Sequence, residues 1–159
     1  MNSFVLVLLL GVLSFTLQAK NNYSSSINIS ADKVFIDQKK GINTYIGDAQ
    51  IIVDNSQVFK ADEIKLIFIQ KELAKITAIG NKNKPASYQQ NNKNNPIKAQ
   101  ALEIVYLIKK QFVSMKGKAN LSKQDNYISG DIIEYDIKND LASIRKLNQE
   151  KAVIKINQP

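Results

Sequence analysis

The chain is predicted to be all-β, with sixteen short antiparallel strands arranged as an internal repeat. Three observations predict it. Short apolar–polar alternations, separated by polar turn residues, run from Ile27 onward, and no stretch sustains a helical period. One four-residue phrase is written four times, as Ile29-Ser30-Ala31-Asp32, Phe59-Lys60-Ala61-Asp62, Ile97-Lys98-Ala99-Gln100 and Ile128-Ser129-Gly130-Asp131. After each copy the alternation changes parity. Ile29 and Ala31 give way to Val34 and Ile36, Phe59 and Ala61 to Ile64, Leu66 and Phe68, Ile97 and Ala99 to Leu102, Ile104, Tyr106 and Ile108, and Ile128 and Gly130 to Ile133, Tyr135 and Ile137. A strand shows alternate residues to opposite faces, so a one-residue slip turns over every later side chain. A slip repeated at one place predicts a bulge or corner where a strand passes from one sheet to another.

The elements follow in order. Ile27, Ile29 and Ala31 set a strand at 27–31, and Val34 and Ile36 a second at 33–36. Lys39-Lys40-Gly41 turns the chain into strands at 42–46 and 48–53, with Gly47 between them. Asp54-Asn55 leads into 57–61 and 63–70, and Lys71-Glu72 into 73–80. The loops Asn81–Lys84 and Asn91–Asn95 are closed by Pro85 and Pro96, which open strands at 85–90 and 97–101. A missing N–H does least harm at a strand's first residue. Then comes 102–109, apolar at nearly every position from Ile104 to Ile108. It is either a central strand buried on both faces or the lining of a groove for an apolar guest. Lys109-Lys110 leads to 111–115 and 117–123, followed by 127–130 and 132–137. Asn139-Asp140 leads to 140–146, and 151–156 ends the series.

A larger duplication underlies the phrase. Gly47-Asp48-Ala49-Gln50-Ile51 returns as Gly117-Lys118-Ala119-Asn120-Leu121, Asp62 returns as Asp131, and Ile29 as Ile97. Two similar halves therefore stack end to end. Stacked repeats bury a continuous core and leave their first and last strands open. Open edges invite aggregation unless a partner uses them.

Composition excludes several chemistries. The chain has no His, Cys or Trp, which removes the usual general base, the commonest metal ligand and all thiol chemistry. No paired carboxylates, dense acidic loop or Gly-rich phosphate cradle stands at a recognisable spacing. Asp32, Asp62 and Asp131 recur with the repeat, which assigns them to the bends and not to catalysis. We expect no enzyme, no cofactor and no metal site. The formal charge is +8, from 22 Lys plus Arg against 14 Asp plus Glu, with one Arg. Lysines act as point charges, which suits diffuse attraction to anions and not specific nucleic-acid reading. They equally keep sheet edges soluble.

The first segment stands apart. Phe4 to Leu17 is an almost unbroken apolar run, short of the ~20 residues that span a bilayer. Leu17-Gln18-Ala19 ends on a small residue. Residues 1–19 read as a signal peptide, with cleavage leaving Lys20 first, and 20–159 as a single domain. No basic residue follows Met1 ahead of the run, so an uncleaved anchor is the alternative.

The phrases above, with Gly47–Val53, Lys84-Pro85-Ala86-Ser87-Tyr88-Gln89, Gly117-Lys118-Ala119 and Ser129–Tyr135, resemble the OstA/LptA family of periplasmic lipopolysaccharide-transport proteins. The resemblance covers about Ile27 to Ile144. It implies an OstA-like β-jelly roll with an open V, or taco, shape. It implies an apolar trough that holds lipopolysaccharide acyl chains, with Ile27, Ile29, Tyr88, Ile104, Tyr106 and Ile108 as its lipid contacts. It implies docking of the inner-membrane transport complex at the N-terminal strands. The outer-membrane translocon or another copy would dock at Lys151–Ile156, giving a head-to-tail bridge across the periplasm. Two alternatives stand beside this reading. One is the membrane-anchored inner-membrane member of the same system. The other is a secreted polyanion- or carbohydrate-binding module using the Asn/Lys loops.

Overall fold

The computed structural model describes residues 26–92, 96–147 and 151–156. The expected signal segment at residues 1–19 lies outside them, as do residues 93–95 of the second Asn-rich loop. Twelve strands are formed among the described residues: β1 Ile27–Ser30, β2 Lys33–Asp37, β3 Ile42–Val53, β4 Gln57–Ile69, β5 Glu72–Ile79, β6 Ala86–Gln90, β7 Ile97–Ala101, β8 Glu103–Leu107, β9 Phe112–Lys123, β10 Asn126–Asp136, β11 Leu141–Arg145 and β12 Val153–Lys155. All pairings are antiparallel. Twelve strands replace the sixteen expected because β3, β4, β9 and β10 each join two expected segments without a break.

Those four long strands are the frame. One half of each pairs in one layer and the other half in a second. The first layer runs β2, β3, β4, β5, β8, β9, β10, β11. The second runs β1, β3, β4, β6, β7, β9, β10, β12. Each layer therefore has eight strand segments, and the two face each other as a jelly roll.

The corner between layers has a specific construction. Gly47 and Asp48 on β3 stand opposite Asp62 alone on β4, and Gly117 and Lys118 on β9 stand opposite Asp131 alone on β10. Both extra pairs are left-handed, with φ of 82° and 40° in the first and 78° and 50° in the second. Glycine enters that region at little steric cost, and the bulge bends the strand. Asp131 Oδ2 accepts a hydrogen bond from the Leu147 N–H at 2.9 Å, and Asp62 accepts one from the Asn81 side-chain amide. The recurring aspartates thus hold the bends.

The bulge also explains the parity slips. Turning the corner shifts the inward phase by one residue on β4 and β10. Phe59 and Ala61 are buried before it and Ile64 and Leu66 after it. On β3 and β9 the extra bulge residue restores the phase, so Tyr45, Ala49, Ile51 and Val53 stay buried on one parity. Small side chains line the corner, where Ala49 pairs with Ala61, Ala86 with Ala101 and Ala119 with Gly130. They let the layers converge there, while the bulkier core residues sit farther out.

The registers also fix the repeat. Every β1–β3 and β2–β3 pair recurs seventy positions later in β7–β9 and β8–β9. Ile27 thus corresponds to Ile97, and Ile29 to Ala99, a two-residue correction to the match of Ile29 with Ile97. The phrase misleads there because an Ile stands two residues before Ala31 and before Ala99 alike, while the hydrogen-bonded register puts Ala31 opposite the role of Ala101.

Candidate lipid-binding interior

The space between the layers is largely apolar. Its walls are built by inward positions alternating along each strand, and among the described residues the buried set contains no polar or charged residue. Near the centre three rings meet. Phe59 and Tyr88 lie 4.8 Å apart between centroids in one layer, and Tyr106 in the other stacks on Phe59 at 5.9 Å and lies 6.0 Å from Tyr88. Such pairs add about 0.5–1.5 kcal/mol each beyond their burial.

The tyrosines give the interior a direction. Tyr88 donates to Gln90 Oε1 at 3.0 Å, Tyr135 donates to Asp140 Oδ1 at 2.7 Å, and Tyr45 accepts from the Asn43 amide at 3.5 Å. The Gln57 side chain lies beside the Tyr106 hydroxyl and partly offsets the effect of its burial, and Gln57 Oε1 is buried with no partner. These polar partners sit at strand ends away from the corner. The rings are therefore in apolar space and the hydroxyls point toward the lips. Burial pushes the Tyr88 and Tyr106 hydroxyls above the ordinary tyrosine value, so both stay protonated at physiological pH.

The two lips differ. The hairpin turns of the first layer carry Lys39-Lys40, Lys71, Lys109-Lys110 and Lys138, a row of lysines in which Lys40 pairs with Asp37 and Lys109 with Glu72. Among the described residues, the turns of the second layer carry Asp54, Asn55, Ser56, Asn91, Asn92, Gln124 and Asp125. At the N-terminal end the first lip opens into a cleft of about 730 Å³ lined by Ile36, Asn43, Phe68, Lys39, Lys40 and Lys71. At the other end a cleft of about 290 Å³ opens between Leu121, Ile128, Tyr135 and Ala142. Lys123 from one layer forms an ion pair there with Asp140 from the other. Burial pushes the Lys123 ammonium down, but Asp140 and Tyr135 outweigh it and hold it above the usual lysine value. The same Lys123 contact, then the Tyr135 hydroxyl, holds Asp140 below the usual carboxylate range.

The expected contact residues fall in two groups. Tyr88, Ile104 and Tyr106 are 1%, 0% and 5% exposed, so they form the closed centre of the interior. Ile108 and Ile27 pack against the core from its margins. Ile29 sits beside Ile27 on the edge strand β1 and is 38% exposed. Sequence reading missed Phe59, which joins Tyr88 and Tyr106 at 0% exposure. Its signal was present, because it occupies the apolar slot of the second phrase copy. The Asn81–Lys84 loop is committed to the bend: Asn81 Oδ1 accepts from the N–H groups of Asn83 and Lys84, and Lys84 pairs with Asp48.

Residues 28–141 match the family model described as LptA/(LptD N-terminal domain) LPS transport protein. The chain belongs to that family. Among its relatives is the lipopolysaccharide export system protein LptA of Haemophilus influenzae, 26% identical over 120 residues. That match covers 75% of this chain and 69% of the relative. LptA of Escherichia coli K12 is 29% identical over 113 residues, covering 70% of this chain and 60% of that protein. The crystal structure of LptH, the LptA-homologous periplasmic component of the lipopolysaccharide transport device of Pseudomonas aeruginosa, shares the fold. Its TM-score is 0.74 at 22% identity, over 84% of this chain and 96% of that one.

Proposed function

We propose that this chain is a periplasmic, non-enzymatic carrier that shelters the acyl chains of lipopolysaccharide between its two layers. In this role it passes the lipid from an inner-membrane complex toward an outer-membrane translocon. The observation that carries the reading is one apolar interior between the layers, flanked by Ile27 toward the N-terminal end and by Ile128 and Ile144 toward the other. Burying one CH₂ contributes about 0.8 kcal/mol, so exposing a fourteen-carbon chain to water costs roughly 10 kcal/mol. An unbroken apolar path removes that cost at each step.

The centre is filled by Phe59, Tyr88 and Tyr106. Loading therefore parts the layers at their lips while the small-residue corner holds them together. The lysine-bearing lip faces the phosphates of the lipid, and the tyrosine hydroxyls mark the boundary between tails and sugar. Ile27, Ile29, Tyr88, Ile104, Tyr106 and Ile108 are the proposed lipid contacts. The N-terminal strands β1 and β2 receive the inner-membrane complex. Residues 1–19 are the export signal, and N-terminal sequencing of the periplasmic protein then begins at Lys20.

The test places a photo-crosslinker at Tyr106 and, separately, at Lys116, an exposed residue on the outer face of β9. Lipopolysaccharide adduct is expected at Tyr106 and not at Lys116. Equal adducts, or none at either, would overturn carriage in the interior.

A further inference from the structure

The outer faces of the two layers differ in a way that the repeat does not require. On the outer face of the first layer, acids and bases pair with each other: Lys65 with Glu63 at 2.7 Å, Lys116 with Glu103 at 3.8 Å and Arg145 with Glu134 at 3.3 Å. The strand segments of the second layer are Ile27–Ser30, 49–53, 57–61, Ala86–Gln90, Ile97–Ala101, 119–123, 126–130 and Val153–Lys155, and they contain no Asp or Glu. Their outward positions carry chiefly hydroxyls, amides and lysines. Lys60 and Lys98 stand among them, exposed and with no ion-pair partner among the described residues.

The register sets these groups in rows. One row crosses the sheet from Gln50 through Lys60, Ser87, Gln100 and Asn120 to Ser129, and every member can hydrogen-bond. Neighbours in such a row lie roughly 4.8 Å apart. The next row holds Val58, Gln89, Lys98, Ser122 and Tyr127. Between them a groove of about 380 Å³ lies over β6 and β7. The half-buried Ser87, Asn120 and Ser122 form its base, and the exposed Lys60, Gln89, Lys98 and Gln100 stand around them. Tyr127 closes one end. It is 37% exposed, and its hydroxyl donates to Asn120 Oδ1 at 2.6 Å, which fixes the ring.

We propose that this groove binds an acidic glycan, a chain of hydroxyl-bearing sugar rings that carries carboxylates and is separate from the lipid held inside. Two lysines on a face without carboxylates attract an anion. The polar rows offer donors and acceptors at the close spacing that sugar hydroxyls need. The Tyr127 ring gives the C–H side of a sugar an apolar surface to lie on while its hydroxyl stays satisfied. Val58 is the one aliphatic side chain that the groove turns outward, too little to hold an acyl chain. The lining has no arginine for a two-pronged grip on phosphate, which favours carboxylated sugar over nucleic acid.

The sheet itself separates this groove from the interior. Tyr88 and Ala99 point inward from the same strands that send Ser87, Gln89, Lys98 and Gln100 outward. Lys60, Gln100 and Asn120 stand in the row nearer the corner, on the far side of the layer from the lip where the head of an enclosed lipid emerges. The groove therefore goes beyond carriage and does not depend on it.

The test titrates the full chain by calorimetry with cell-wall fragments released by lysozyme, N-acetylated sugars bearing free carboxylates. Chitohexaose, a neutral chain of such sugars, is the comparison. The fragments are expected to bind more tightly than chitohexaose and to lose that advantage in high salt. The double variant Lys60→Gln, Lys98→Gln, checked for an unchanged melt, is expected to weaken fragment binding about three- to tenfold. Lys116→Gln, on the other outer face, is expected to leave it unchanged. Tyr127→Ala is expected to weaken both probes, and Tyr127→Phe to retain most of the binding. No binding of either glycan, or equal loss in Lys116→Gln and the double variant, would overturn the site. Polyglutamate bound as tightly as the fragments would overturn sugar recognition. Tighter binding of delipidated lipopolysaccharide oligosaccharide would overturn a separate glycan as the occupant. Lipid adduct at Tyr106 is scored apart from these. It is expected to be unchanged in the double variant, so loss of the groove and loss of carriage read out separately.

Discussion

Lys123, Tyr135 and Asp140 tie the two layers together through single side chains. They come from both layers and meet across the C-terminal mouth, with the Lys123 ammonium 6.0 Å from the centre of the Tyr135 ring. Asp140 has a lowered pKa in the folded chain, by hydrogen bonds from Lys123 and then Tyr135. Its contribution is therefore complete above the unfolded-state value and is lost as pH falls through the lowered folded value. Because Asp140 is largely exposed, the contact is worth no more than about 1 kcal/mol. Asp140→Asn is expected to lower stability slightly at neutral pH and to make no difference in strong acid, when melts of the two proteins are compared. An equal deficit at both pH values would show that the charge is not what matters.

At the scale of the element, the bulge decides most. Gly117 takes a φ of 78°, and a Cβ there would sit within 3.0 Å of the Leu102 side chain. Gly117→Ala is expected to cost about 1–3 kcal/mol, from backbone strain plus that crowding, and denaturant titration measures it. An Ala variant as stable as the parent would mean that the bend does not depend on glycine. Much of this was legible in the sequence. Parity slips appear wherever a strand turns the corner without an added residue, as at Phe59–Ile64 and Ile128–Ile133. They vanish on β3 and β9, where Gly47-Asp48 and Gly117-Lys118 insert one residue and cancel the slip. Alternation alone therefore divided these strands at the right places but could not tell a bend from a break.

For the whole molecule, the sequence revealed that two halves repeat but not how their layers share strands. The central closure was also out of reach, because Phe59 and Tyr106 are distant in sequence and meet only when the layers face each other. That closure makes a prediction about motion. Cysteines at Lys123 and Asp140, whose side-chain tips touch across the lips, are expected to lock the mouth when joined by a short, reducible bis-thiol crosslinker. Lipopolysaccharide adduct at Tyr106 should then fall and return on reduction. Undiminished adduct in the locked protein would mean that the layers need not part there. The shared strands have a last consequence. Because β3, β4, β9 and β10 each run through both layers, neither layer can come apart without unravelling the other, and the two should melt together as one unit.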